Sequence, residues 1–212
     1  MKPLLLDHVA LWVADRGRMV EVAVTRLGLR AIEETDRFTL LGADARRGKL
    51  TLFDAEGPRE RGALARIGLR VQSLGGREPV VDLGEGLELV LVEADTDVEA
   101  DLDHVALYTA DPAAAAAGWR SLGFAREQDG RLAVGGAHLE LVPGDPGDPE
   151  RPLLNHLGVL VESVDEHRAE AEELGVEVAD LVDAPNTVAL FVWGPDRVKL
   201  EYIEHKPSFS LT

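Results

Sequence analysis

The sequence contains no cysteine. Disulfides, thiolate metal ligands and a cysteine nucleophile are therefore excluded. Positive charge is scarce. Lysine and arginine number 22 against 39 acids, a formal net charge of −17, and only four of the basic residues are lysines. That balance argues against a nucleic-acid partner, whose phosphates need clustered cations. The surplus acid suits a solvated surface and would draw a cationic partner. No apolar run approaches the ~20 residues of a membrane-spanning helix. The opening MKPLLLDHV has one lysine and a short apolar patch but no cleavage-site pattern, so a cytoplasmic protein is expected. Aromatics are only 5% of residues, yet apolar residues reach 45%, enough to bury a core.

What is present is repetition. LDHVAL occurs at Leu6–Leu11 and again at Leu102–Leu107, and each copy is followed by Ala-Asp, at Ala14-Asp15 and Ala110-Asp111. RLGL at Arg26–Leu29 matches SLGF at Ser121–Phe124, and ARIGLRVQS at Ala65–Ser73 matches NHLGVLVES at Asn155–Ser163. The pattern predicts four units of strand, helix and strands. Asp111 caps a helix with Pro112 in its first turn, and Gly123 ends it. Ser163 with Glu166 forms a capping box, and Val164, His167, Ala171 and Leu174 share a helical face that stops at Gly175. The second unit is short by about the length of a helix and part of a hairpin. Turn-rich connectors lie at 54–62, 93–101 and 143–152. The middle one divides the chain into residues 1–97 and 98–212.

His104 lies early in the first strand of the third unit, and His156 at the equivalent place in the fourth. Glu140 and Glu201 lie in the last strands of those units. A carboxylate flanked by Leu139 and Leu141, or by Leu200 and Tyr202, is costly to bury alone and reasonable beside a cation. Two imidazoles with one or two carboxylates suit Fe(II), Mn(II), Ni(II) or Zn(II). A face of two His and one carboxylate leaves adjacent positions for two neighbouring oxygens of one small-molecule substrate, whose developing charge the ion would stabilise. His138 shares a strand face with Glu140. A shift of register would put His138 in the site in place of Glu140.

The tandem units, with LDHVAL, NHLGVLVESVDE and GPDRVKLEYIE, resemble the vicinal oxygen chelate superfamily of glyoxalase I, extradiol dioxygenases and bleomycin-resistance proteins. The resemblance spans nearly the whole chain. It implies an α+β fold of tandem βαβββ modules, four in number with the second truncated, curled into two mixed sheets. It also implies a divalent ion held by His104, Glu140, His156 and Glu201, with Glu140 or Glu201 moving a proton. The extradiol pattern would use His104, His156 and Glu201 alone. In residues 1–97, His8 corresponds to His104 and Glu88 to Glu201. Thr51 falls where Glu140 would, and Arg66 where His156 would. Arginine cannot ligate a cation, so this half is expected to be a degenerate cup with Arg66 paired to Glu88 and His8 a remnant.

Three functions fit the resemblance. A glyoxalase-like lyase or isomerase matches the four-ligand set. An extradiol dioxygenase matches the layout of four units, although Val182, Asp183 and Ala184 stand where its signature carries a His. An antibiotic-binding resistance protein suits the acidity and needs no metal set. Tyr108, Phe191, Trp193 and Tyr202 are expected mostly in the core, and His167 and His205 in structural or solvated places. Monomer and homodimer are both compatible with two complete halves.

Overall fold

The computed structural model describes residues 1–127 and 130–211. The first unit is β1 (Leu5–Val13), α1 (Arg16–Val22) running into a π turn over Ala23–Leu27, β2 (Arg30–Glu34), β3 (Phe38–Gly42) and β4 (Lys49–Asp54). The second is β5 (Leu64–Val71), β6 (Val80–Gly84) and β7 (Leu87–Glu93), without a helix. The third is β8 (Asp101–Thr109), α2 (Pro112–Ser121), β9 (Ala125–Arg126), β10 (Leu132–Val134) and β11 (Ala137–Pro143). The fourth is β12 (Leu154–Leu160), α3 (Val164–Leu174), β13 (Val178–Asp183), β14 (Thr187–Trp193) and β15 (Lys199–His205).

Local chemistry sets the helices as the sequence implies. Asp111 accepts from the amides of Ala113 and Ala114, with Pro112 opening the helix. Ser163 accepts from the Glu166 amide, and Gly175 closes α3 at φ +65°. Val164, His167 and Ala171 are buried as expected. Leu174, expected beside them, is exposed.

The strands form two mixed sheets. One has eight strands in the order β13-β14-β15-β12-β1-β4-β3-β2, the other seven in the order β6-β7-β5-β8-β11-β10-β9. One aliphatic core runs through residues of all four units. The division into residues 1–97 and 98–212 does not correspond to the sheets. β1 pairs antiparallel with β12, which joins the first unit to the fourth. β5 pairs antiparallel with β8, which joins the second to the third. β1 and β8 carry the same LDHVAL, so which of them pairs with β12 is a tertiary choice, and the chain makes it across the halves.

Candidate metal centre

That choice decides which side chains meet. In the eight-stranded sheet His8 stands opposite Gly158, and Gly158 opposite Glu201, so the three form one row across β1, β12 and β15. His156, opposite Ala10, is two residues along β12 on the same face. A Cβ on residue 158 would lie 2.8 Å from His8 Nε2 and nearer still to other atoms of that ring. The glycine therefore lets the His8 imidazole lie over β12 and reach Glu201. Nε2 of His8 is 2.9 Å from Nε2 of His156 and 2.9 Å from Oε2 of Glu201, and the latter two are 3.1 Å apart. All three residues are buried.

The far nitrogens are anchored. His8 Nδ1 donates to Asp7 Oδ2 at 2.8 Å, and Asp7 Oδ1 accepts from Lys49 Nζ at 2.9 Å. His156 Nδ1 donates to Asn155 Oδ1 at 3.1 Å. The Nδ1 contacts turn both Nε2 atoms toward Glu201, as in many metal-binding histidines, and His8 offers its Nε2 lone pair once the proton it carries there leaves. Glu201 Oε2 is buried and, among the described residues, makes no well-aligned hydrogen bond, despite two imidazole nitrogens at ion-pair distance. Three converging donors about 3 Å apart match one face of an octahedron with bonds of ~2.1 Å. The donor set fits a divalent ion.

Among the protein groups alone, burial pulls His8 down, but the charge of Glu201 and the bond to Asp7 outweigh it and lift its pKa from 6.5 to about 9. Burial raises Glu201, and the two imidazoles more than reverse this, taking it from 4.5 to about 2. Burial holds His156 below its ordinary value, helped by the charges of His8 and Lys199 against the opposing pull of Glu201. Without metal, the His8–Glu201 pair thus contributes its full stability between pH 4.5 and 6.5. The contribution fades as pH rises through about 9 or falls through about 2. Loading the apoprotein at pH 7 is accordingly expected to release about one proton per ion, because the His8 ligand must first be deprotonated. Calorimetry in buffers of different ionisation enthalpy measures that number, and no release would contradict a charged His8.

The four ligands expected from the sequence do not converge. His156 and Glu201 lie in the eight-stranded sheet. His104 and Glu140 lie in the seven-stranded one, on β8 and β11. The physical reason is the pairing of β1 with β12, which gives His156 the partner His8 rather than His104. The missed ligand is His8. Its LDHVAL context is identical to that of His104, so no local signal separates the two.

The seven-stranded sheet repeats the geometry with a different outcome. His104 lies over Gly68 as His8 lies over Gly158, and Asp103 accepts from its Nδ1 at 2.7 Å. Arg66 and Glu140 both stand opposite Ala106, just as His156 and Thr51 stand opposite Ala10. The Arg66 guanidinium donates to His104 Nε2 at 3.2 Å and to Glu140, which it holds below the usual carboxylate range against burial, together with His104. Arg66 therefore pairs with Glu140, not with Glu88, which is exposed. Val90, opposite Gly68, takes the place that Glu201 has opposite Gly158. His138 stacks on His104 at 5.3 Å, and with Asp103 these two form a second cluster of possible ligands. A guanidinium already fills the charge there.

Aromatic side chains gather at the first site. Phe191 packs edge-on to His156 at 5.2 Å, and Phe53 lies 6.4 Å from His156 and 5.2 Å from Trp12. Trp12, Phe53, Phe191, Trp193 and Tyr108 are half-buried, so of the four aromatics expected in the core only Tyr202 is buried. Its hydroxyl donates to Leu122 O at 2.8 Å. His167 is structural, with Nδ1 donating to Ser163 O at 2.8 Å.

Residues 101–202 match the family model of the Glyoxalase/Bleomycin resistance protein/Dioxygenase superfamily. This segment belongs to that superfamily. No curated protein is significantly similar in sequence. Among solved structures, a putative dioxygenase from Bacillus subtilis subsp. subtilis str. 168 has a TM-score of 0.74 at 14% identity, over 98% of this chain and 87% of that one. Glyoxalase I from Zea mays gives 0.72 at 16%, over 94% and 92%. The cppA protein from Streptococcus pneumoniae TIGR4 gives 0.62 at 15%, over 95% and 98%. At these identities the likeness is one of fold, and it extends the glyoxalase-like architecture through residues 1–100. Among the described residues, no helix is long and apolar enough to cross a membrane.

Proposed function

We propose that His8, His156 and Glu201 hold one divalent ion, and that the protein is a metal-dependent enzyme acting on a small molecule with two adjacent oxygens. The supporting observation is the buried Oε2 of Glu201, without a well-aligned hydrogen bond among the described residues, facing two Nε2 atoms whose rings are held from behind. A bound ion supplies Lewis acidity to the chelated oxygens. Asp7 and Asn155 orient the imidazoles, and Phe53 and Phe191 keep the surroundings apolar, which strengthens every charge interaction within. A single carboxylate leaves a divalent site net positive, suited to an anionic chelating substrate.

Thr51 stands where a fourth ligand would be, so the donor set is two His and one carboxylate. Such a set with open positions is typical of non-haem Fe(II) oxygenases, and the half-buried aromatics suit a flat substrate. Both features favour an oxygen-consuming, ring-cleaving reaction. A lyase or isomerase is the second reading, favoured by Val182, Asp183 and Ala184 on and beside an exposed strand, where no His faces the site. Sequestration of an antibiotic needs no metal set and is the least favoured.

The test is to reconstitute the apoprotein with Fe(II) without oxygen, then follow oxygen uptake over a panel of catechols. Uptake that disappears with chelator supports the first reading. Chelator-sensitive turnover of 2-oxoaldehyde adducts without oxygen uptake moves the assignment to the second. A protein that binds no divalent ion overturns both.

A further inference from the structure

The large described cavity does not contain the three donor atoms. It measures about 780 Å³ and lies beside them, meeting the site at Asn155, whose side chain anchors His156. Two connectors wall it, residues 54–63 and 146–152, and they touch where a Cβ on Gly62 would lie 2.8 Å from Pro152. Trp12 and Trp193 line it as well.

The charges are sorted by depth. The acids in the lining, such as Asp54, Glu150 and Asp196, are all exposed and form a rim. The charged residues that are half-buried are both cations, Arg59 and Lys199. Arg59 Nε is buried without a hydrogen-bond partner, and neither side chain makes an ion pair among the described residues. In a chain of net charge −17, two half-buried cations without acids are an unusual use of scarce positive charge. Lys199 also shares a face of β15 with Glu201, one repeat of ~7 Å away. Its Nζ lies 5.1 Å from the centre of the Trp193 ring.

We infer that this cavity receives an anionic group of the substrate, a carboxylate carried on a flat ring, with Arg59 and Lys199 as counter-charges and Trp12 and Trp193 beside the ring. The inference rests on the metal-dependent reading of the adjoining site and names its substrate class: aromatic acids with two neighbouring oxygens. Charge-assisted bonds in a partly dry cavity discriminate strongly, because an uncharged analogue leaves the cations unmatched.

Tryptophan fluorescence reads the cavity directly, since Trp12 and Trp193 line it and Trp119, the third, is in the core. The Zn(II)-loaded protein is titrated with 3,4-dihydroxybenzoate, catechol and 3,4-dihydroxybenzylamine, and the apoprotein with benzoate. The acid is expected to bind at least about tenfold tighter than catechol. Arg59→Met and Lys199→Met should each erase most of that margin, read as the ratio of acid to catechol affinity within each variant. Benzoate should perturb the apoprotein but not the Arg59→Met variant. Equal affinity for acid and catechol, or tightest binding of the amine, overturns the inference. Catechol binding that needs Zn(II), without preference for the acid, overturns it and leaves the metal reading standing. Benzoate binding with no zinc dependence for catechol sinks the metal reading and leaves the anion site.

Discussion

His8→Ala is expected to strip the divalent ion from the protein, whereas His104→Ala is expected to leave it bound. The two residues occupy identical hexapeptides, so the contrast isolates tertiary placement. His8 contributes one of three donors, and its loss should exceed the ~10–100-fold in affinity that even an outer partner of a ligand is worth. Elemental analysis after dialysis should give near-stoichiometric metal for wild type and His104→Ala, and background for His8→Ala. Without its counter-charge Glu201 becomes a buried carboxylate with His156 alone, so His8→Gln belongs in the series as a milder variant. His104→Ala removes an acceptor from Arg66 and a donor to Asp103, which should lower stability by ~1–2 kcal/mol. If His104→Ala empties the site and His8→Ala does not, the pairing of β1 with β12 is not the functional one.

Gly158→Ala should match that loss with a single methyl group. The added carbon would overlap the His8 ring, which must leave the row it forms with Glu201. Gly68→Ala delivers the same insult to His104. Both substitutions overpack, so each should cost ~1–3 kcal/mol of stability. They should part company on metal: Gly158→Ala loses it and with it turnover, while Gly68→Ala retains both. Thermal unfolding beside metal analysis separates the two effects. Metal retention in a folded Gly158→Ala protein would mean that His8 ligates from another rotamer or not at all.

Much of the architecture was legible because duplication leaves local marks. The repeated LDHVAL, the Asp111 and Ser163 caps and the missing helix of the second unit were all readable, and they agree with the two sheets. The partnership of strands was not. His8 and His156 are 148 residues apart, and nothing in β1 or β8 says which of them meets β12. Charge bookkeeping held a usable clue. Arg66 beside Glu140 is neutral, and His8, His156 and Glu201 are what remain, so the two sets could be separated by asking which one balances itself. The aromatics were misjudged for a similar reason. With few in the chain, packing seemed the natural use, yet Phe53, Phe191 and Trp12 are half-buried around His156. The connectors at 54–62 and 143–152 read as mere punctuation, although they wall the cavity next to it.

Closing the first strand onto the fourth unit also sets the order in which the molecule can mature on the ribosome. The middle units are neighbours in the chain and can pair as soon as β8 emerges. The edge of β1 must wait for β12, and the Glu201 donor arrives only with β15, later still. The proposed ion site therefore needs strands from the first and fourth units: a product released before β15 shows two histidine-bearing strands but lacks the carboxylate donor.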